Sequence, residues 1–229
     1  MGWGILGGED VQFRSGDVML QGHLGRPAAP GRYPAVIWLH GIFGPTAGTN
    51  RAAERFGDEG YVGLTVHWQG RDQDPPDSEI MRYIGDATAF LHSQEYVDRE
   101  RIAIAGQCRG GGLVYLALEN HPGLRAGIAM HGFPFYATLD AKKPHHPYDL
   151  ADRIRAPLLI LHGAADSRAP AEDVYRMALR LESLGKQFSL KMYSGVGHAF
   201  TLPDSNDYDP MAASDAWEEL IGFLDCYVR

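Results

Sequence analysis

Cysteine is scarce: the chain of 229 residues holds two, Cys108 and Cys226, far apart in sequence. That excludes a disulfide framework and fits a reducing compartment, with Cys226 expected as a packed residue of the last helix. No stretch reaches the roughly 18 consecutive apolar residues of a membrane-spanning helix, so no membrane partner is expected. The opening Met1-Gly2-Trp3-Gly4 lacks the basic region and apolar core of a secretory leader, and Leu6 stands where myristoylation requires Ser or Thr. A cytoplasmic location is the expectation. Dense basic clusters are lacking too. The formal charge is −8, and no Lys/Arg stripe offers a track for phosphates, which excludes nucleic acid as a partner. No Cys or carboxylate stands at a ligand spacing beside His131, His145 and His146, so neither a metal nor another cofactor is expected.

What remains is ordinary globular material, 45% hydrophobic and 22% charged, with no linker, repeat or low-complexity tract. A chain of this length suits one α/β domain over residues 1–229, a monomer or small homo-oligomer. Apolar runs at Ala35–Leu39, Tyr61–Val66, Ile102–Ala105, Gly127–Met130, Leu158–Leu161 and Phe188–Tyr193 predict buried parallel strands. Val11–Phe13 and Val18–Leu24, joined by Arg14-Ser15-Gly16-Asp17, predict an antiparallel edge hairpin. Helical periodicity falls between the runs: Asn50–Glu59 with Gly60 as a stop, a helix through Ile80, Ile84, Ala87 and Leu91, Ala171–Leu184, and Ala212–Tyr227. Asp98-Arg99-Glu100 reads as a turn, and 132–149 as a loop. Strands alternating with helices imply a doubly wound, mostly parallel sheet with helices on both faces and no separate cap domain.

The period changes from strand to helix at Gly106-Gln107-Cys108-Arg109-Gly110. This is the nucleophile elbow G-x-S-x-G with a thiol in place of the hydroxyl. At a helix N-terminus the positive end of the macrodipole favours thiolate over thiol. Reacting groups collect beyond the carboxyl ends of such strands. Asp166 follows the strand Leu158–Leu161 by a short loop, and His198 follows Phe188–Tyr193 through Ser194-Gly195-Val196-Gly197. The order is nucleophile, acid, histidine, as in α/β-hydrolases. Each residue also has a plainer role open to it: a buried cysteine in a Gly-rich turn, a capping aspartate, a surface histidine.

The chain resembles the dienelactone hydrolase family of α/β-hydrolases. The residues that carry the likeness are Gly41-Ile42-Phe43-Gly44, Gly85-Asp86, Gly106-Gln107-Cys108-Arg109-Gly110-Gly111, Gly163-Ala164-Ala165-Asp166 and Gly197-His198-Ala199-Phe200. The resemblance implies a Cys108–His198–Asp166 triad acting on a small-molecule lactone or ester. It also shows two departures. Gly41 replaces a glutamate that contacts the resting thiol, and Thr201 and Leu202 occupy the region of an arginine that holds the substrate carboxylate.

For such a triad the main-chain N–H groups of Ile42 and Arg109 are the expected oxyanion hole, with side chains free to vary. Expected substrate contacts are Phe43, Trp68, Tyr83, Phe133, Phe135 and Tyr136, beside His67. Arg71, Arg82, Arg109 and Arg168 are candidate partners for an anionic group. The same triad could serve a thioesterase or acyltransferase, and the same fold a non-catalytic binding protein.

Overall fold

The computed structural model describes residues 5–69 and 72–229; residues 1–4, Gly70 and Arg71 lie outside the described residues. The chain runs β1 (Ile5–Ser15), β2 (Val18–Pro27), β3 (Tyr33–Leu39), α1 (Ala47–Asp58), β4 (Val62–Val66), α2 (Asp77–Ser93), β5 (Val97–Gln107) and α3 (Arg109–Asn120). It continues with β6 (Gly127–Met130), a 3-10 helix (Pro147–Arg153), β7 (Leu158–Gly163), α4 (Ala171–Ser183), β8 (Phe188–Tyr193) and α5 (Pro210–Tyr227). One eight-stranded sheet has the order β1-β2-β4-β3-β5-β6-β7-β8. β1 pairs antiparallel with β2, and β2 antiparallel with β4. Every pairing from β4 to β8 is parallel. Parallel neighbours need crossovers, and these helices supply them.

Alternation along the strands sorts the core into two layers. Ala35, Ile37 and Leu39 of β3 pack with Ile84, Leu113 and Met177 of α2, α3 and α4. Val36 and Trp38 face the other way, against Phe56 of α1 and Trp217 and Leu220 of α5. Asp86 fastens α2 to the edge hairpin by accepting the Ser15 hydroxyl at 2.5 Å.

Several boundaries differ from expectation for identifiable reasons. α1 starts at Ala47, earlier than Asn50, because Thr46 caps it through a reciprocal bond with Thr49. Asp98-Arg99-Glu100 does not end a strand. It forms an irregularity inside β5, where the register slips between Tyr33↔Val97 and Ala35↔Ile102. The Asp98 carboxylate accepts the Glu100 N–H and the Arg101 Nε–H across that slip. Pro147 starts a 3-10 helix in what the composition reads as the end of a loop. Cys226 is on α5 but exposed, not packed. The buried stripe of that helix runs Ala212, Ala216, Trp217, Leu220 and Leu224, and position 226 falls off it.

Candidate active site

At the carboxyl end of β5 the chain must reverse into α3 within one residue. Cys108 makes that turn at φ 55°, ψ −122°, a conformation costly for a side-chain-bearing residue. The flanking glycines are a packing necessity. A Cβ on Gly106 would lie 2.6 Å from the Gly110 carbonyl oxygen, and one on Gly110 would meet the Leu39 carbonyl. The Cys108 N–H is shared between the Met130 carbonyl at 3.0 Å and Nδ1 of His131 at 3.1 Å.

Asp166 and His198 arrive on the loops after β7 and β8. Cys108 Sγ lies 3.1 Å from Nε2 of His198, whose Nδ1 is 2.7 Å from Oδ2 of Asp166. The second oxygen of Asp166 accepts the main-chain N–H groups of Arg168 and Ala169 at 2.8 and 2.9 Å, which fixes the carboxylate. Both Asp166 and His198 are buried, and Cys108 is half-buried.

Burial alone would push the thiol up. The hydrogen bond and charge of His198, with the N–H groups of Arg109 and Ile42 aimed at the sulfur, bring it below its ordinary value. Burial likewise opposes charge on His198, but its bonds to Asp166 and Cys108 outweigh that and raise it to about 9. Asp166 is held low against its own desolvation by the His198 bond and the Ala169 N–H. The arrangement favours a thiolate beside an imidazolium.

A second histidine lies beneath this pair. His131 immediately follows β6, is fully buried, and has φ 37°. Its Nδ1 accepts from Cys108, so Nε2 carries the proton and donates to the Thr201 hydroxyl at 3.3 Å. Thr201 in turn donates to Oε1 of Gln107 at 3.5 Å. The His131 ring meets that of His198 edge-on at 5.0 Å. Burial, reinforced by the neighbouring His198, drives the basicity of His131 far down and keeps it neutral. Its place directly after a parallel strand was the available sequence signal.

The expected substrate contacts separate. Phe43 stands exposed on the rim, and the Phe133 ring lies 5.5 Å from that of His198. Phe135 is stacked on Tyr148 under Arg176. Trp68 is wholly buried: its indole N–H donates to the His40 carbonyl at 3.1 Å and its ring stacks on His40. It therefore props the loop that carries Ile42 instead of lining a crevice. Tyr83 is packed in the core, its hydroxyl bonded to Glu79, and is likewise no crevice residue.

The Arg109 side chain is not free to vary. It is buried, with Nη2 2.5 Å from Asp77, Nη1 donating to the Tyr136 hydroxyl at 2.7 Å, and Nε 3.3 Å from Asp74. Tyr136 also donates to Asp77 at 3.0 Å. These bonds tie the loop before α2 and the loop after β6 to the start of α3.

Of the other arginines, Arg82 donates to Ser15 and leans on Tyr83, and Arg168 is exposed. His67 lies 3.3 Å from the Asn50 side chain. His146 takes the Tyr136 N–H. Among the described residues no group of three His, Cys, Asp or Glu side chains converges as metal ligands would, and no helix is long and apolar enough to cross a membrane.

Comparison with known proteins gives consistent results. The sequence model of the dienelactone hydrolase family matches residues 20–228. A candidate carboxymethylenebutenolidase of Methylorubrum extorquens is 27% identical over 95% of this chain and 80% of its own length. A candidate 2-oxo-3-(5-oxofuran-2-ylidene)propanoate lactonase of Bradyrhizobium is 27% identical over 88% of this chain and 87% of its own. The crystal structure of a candidate dienelactone hydrolase from Klebsiella pneumoniae superposes with a TM-score of 0.91 at 24% identity, covering 98% of this chain and all of that one. The fold is that of the α/β-hydrolases.

Proposed function

The chain belongs to the dienelactone hydrolase family, and from that premise we propose that it cleaves a lactone or activated carboxylic ester through Cys108, His198 and Asp166. The observation that carries this reading is the continuous line Sγ···Nε2 at 3.1 Å and Nδ1···Oδ2 at 2.7 Å.

Cys108 thiolate attacks the ester carbonyl carbon, and the oxygen takes up the negative charge. The N–H groups of Ile42 and Arg109, already turned to the sulfur, are placed to receive that oxyanion. As the tetrahedral intermediate collapses, the proton on His198 Nε2 passes to the departing alkoxide, leaving a thioester. His198, now neutral and aligned by Asp166, takes a proton from water. The hydroxide so formed attacks the thioester, and the acid and the Cys108 thiolate are released. Sulfur leaves a tetrahedral intermediate readily, so a cysteine suits enol lactones and other activated esters better than simple alkyl esters.

Water as the acceptor, in preference to an alcohol or thiol, agrees with the relatives named as lactonases and butenolidases. Hydrolysis of p-nitrophenyl acetate and a panel of small lactones, with and without iodoacetamide, tests the proposal. Turnover that is lost in step with alkylation of Cys108 is the expected result. A protein with no turnover on any ester is a binding protein on the same fold.

A further inference from the structure

A cavity of about 340 Å³ opens between α1 and α5, beneath the loop that follows His198. Trp38, Gln107 and Met130, from the ends of β3, β5 and β6, line it; Cys108, His198 and Ile42 do not. Two guanidinium groups, Arg51 and Arg55, border it from one face of α1, four residues apart. No Asp or Glu is among the lining residues, although the chain has 29 acidic residues against 21 Lys and Arg. Among the described residues Arg51 has no hydrogen bond or ion pair; Arg55 lies over the Trp217 ring at 3.7 Å, makes no hydrogen bond, and feels Glu59 and Asp58 from the end of its own helix only as nearby charges. The indole N–H of Trp38, itself 4% exposed, also has no acceptor among the described residues.

Two planar cations on one helix face, neither hydrogen-bonded and one of them stacked on Trp217, form a recognisable chemistry. Guanidinium groups bind carboxylates through paired N–H donors and stack on flat π-systems. Pockets for small ligands span about 300 to 1,000 Å³, so this one suits a ring-sized body. We propose that the cavity binds a small, flat organic anion, a carboxylate on an aromatic or unsaturated ring, with its charge on Arg51 and Arg55. The seat is distinct from the crevice at Cys108, so the occupant is a second ligand, and its binding does not depend on the chemistry at the sulfur. It would touch Gln107, the residue before the nucleophile, and Thr201, which links Gln107 to His131.

The test is calorimetric titration of the full chain with 2-naphthoate and its neutral isostere 2-naphthamide, before and after alkylation of Cys108 by iodoacetamide. Expected is one-to-one binding of naphthoate that survives alkylation. Naphthamide should bind about tenfold or more weakly, because it offers the guanidinium groups no charged acceptor. Arg51→Gln with Arg55→Gln should weaken naphthoate by a similar factor and naphthamide much less; both side chains are exposed, so the chain should still fold, with only the Arg55 stack on Trp217 lost. Equal affinity for the two probes, or no naphthoate binding, overturns the proposal. Loss of binding on alkylation also overturns it, because that outcome puts the ligand in the crevice.

Discussion

Gly41 is packed directly against Cys108: a Cβ at Gly41 would lie 3.2 Å from Cys108 Cβ and 3.6 Å from Sγ. Any side chain there would touch the sulfur, and its absence leaves His198 as the side chain bonded to Sγ. A carboxylate introduced at this position would disfavour the thiolate by like-charge repulsion. Gly41→Glu is therefore expected to raise the midpoint of Cys108 alkylation against pH by about one unit or more. The wild-type midpoint should lie below that of an ordinary thiol, because His198 and two N–H groups hold it down against burial. Iodoacetamide rates from pH 4 to 10, followed by mass spectrometry, read both values.

Asp166 orients His198 and stabilises its charge without touching the sulfur. Asp166→Asn keeps an acceptor for the Arg168 and Ala169 N–H groups, so the loop should hold. The imidazole loses its charged partner and its fixed tautomer. By analogy with Ser-His-Asp enzymes, kcat should fall by about 10⁴, with the unfolding temperature little changed. Steady-state kinetics beside thermal unfolding separates the two effects.

His131 acts at one remove, by holding the Cys108 N–H and packing against His198. His131→Leu should lower kcat by about tenfold with KM nearly constant, since a misplaced reacting group costs rate rather than binding. His131→Asn should recover part of the loss: Asn tolerates the left-handed backbone and offers an acceptor. A fall in stability with an unchanged kcat would assign His131 to packing alone.

That Cys108, Asp166 and His198 would meet at the carboxyl ends of the strands, and that the sheet would be doubly wound, is legible because the signals are local. The change of period at Cys108 marks a strand passing into a helix, and short loops after apolar runs mark the edge of the sheet where the three side chains gather. Other features had no local signal. Arg109 looks free to vary because its partners Asp77 and Tyr136 lie 32 and 27 residues away. Trp68 looks like a crevice aromatic until the His40 carbonyl, 28 residues earlier, takes its N–H. Residue type alone points to packing for Cys226, where the buried stripe of α5 decides otherwise. Thr46 supplied a cap that the apolar periodicity of α1 could not show.

Arg109 links three segments by its side chain while donating its N–H toward the sulfur. Lysine cannot reproduce the planar fork that meets Asp77, Tyr136 and Asp74 together. Arg109→Ala leaves the buried Asp77 uncompensated, and a loss of about 3–5 kcal/mol is expected for a broken buried pair. Arg109→Lys should lose part of that. Urea unfolding of the three proteins gives the differences.

Glu119 is a buried carboxyl on α3 whose two oxygens have no hydrogen-bond partner among the described residues. Burial raises it to about 9 from an ordinary 4.5. The folded chain therefore keeps a proton that the unfolded chain releases near pH 4.5, and stability falls as pH rises between those two values. Glu119→Gln removes this dependence. Its unfolding temperature should exceed the wild-type value by a margin that widens from pH 5 to pH 8.5, measured by calorimetry.

On the proposed mechanism the sulfur of Cys108 carries the acyl group between the two half-reactions. Rapid acid quench of the protein with p-nitrophenyl acetate, followed by peptide mass spectrometry, examines it directly. One acetyl group on the Cys108 peptide, accumulating in Asp166→Asn and absent from Cys108→Ala, is the predicted result. Acetylation of a different residue, or wild-type turnover by folded Cys108→Ala, would contradict it.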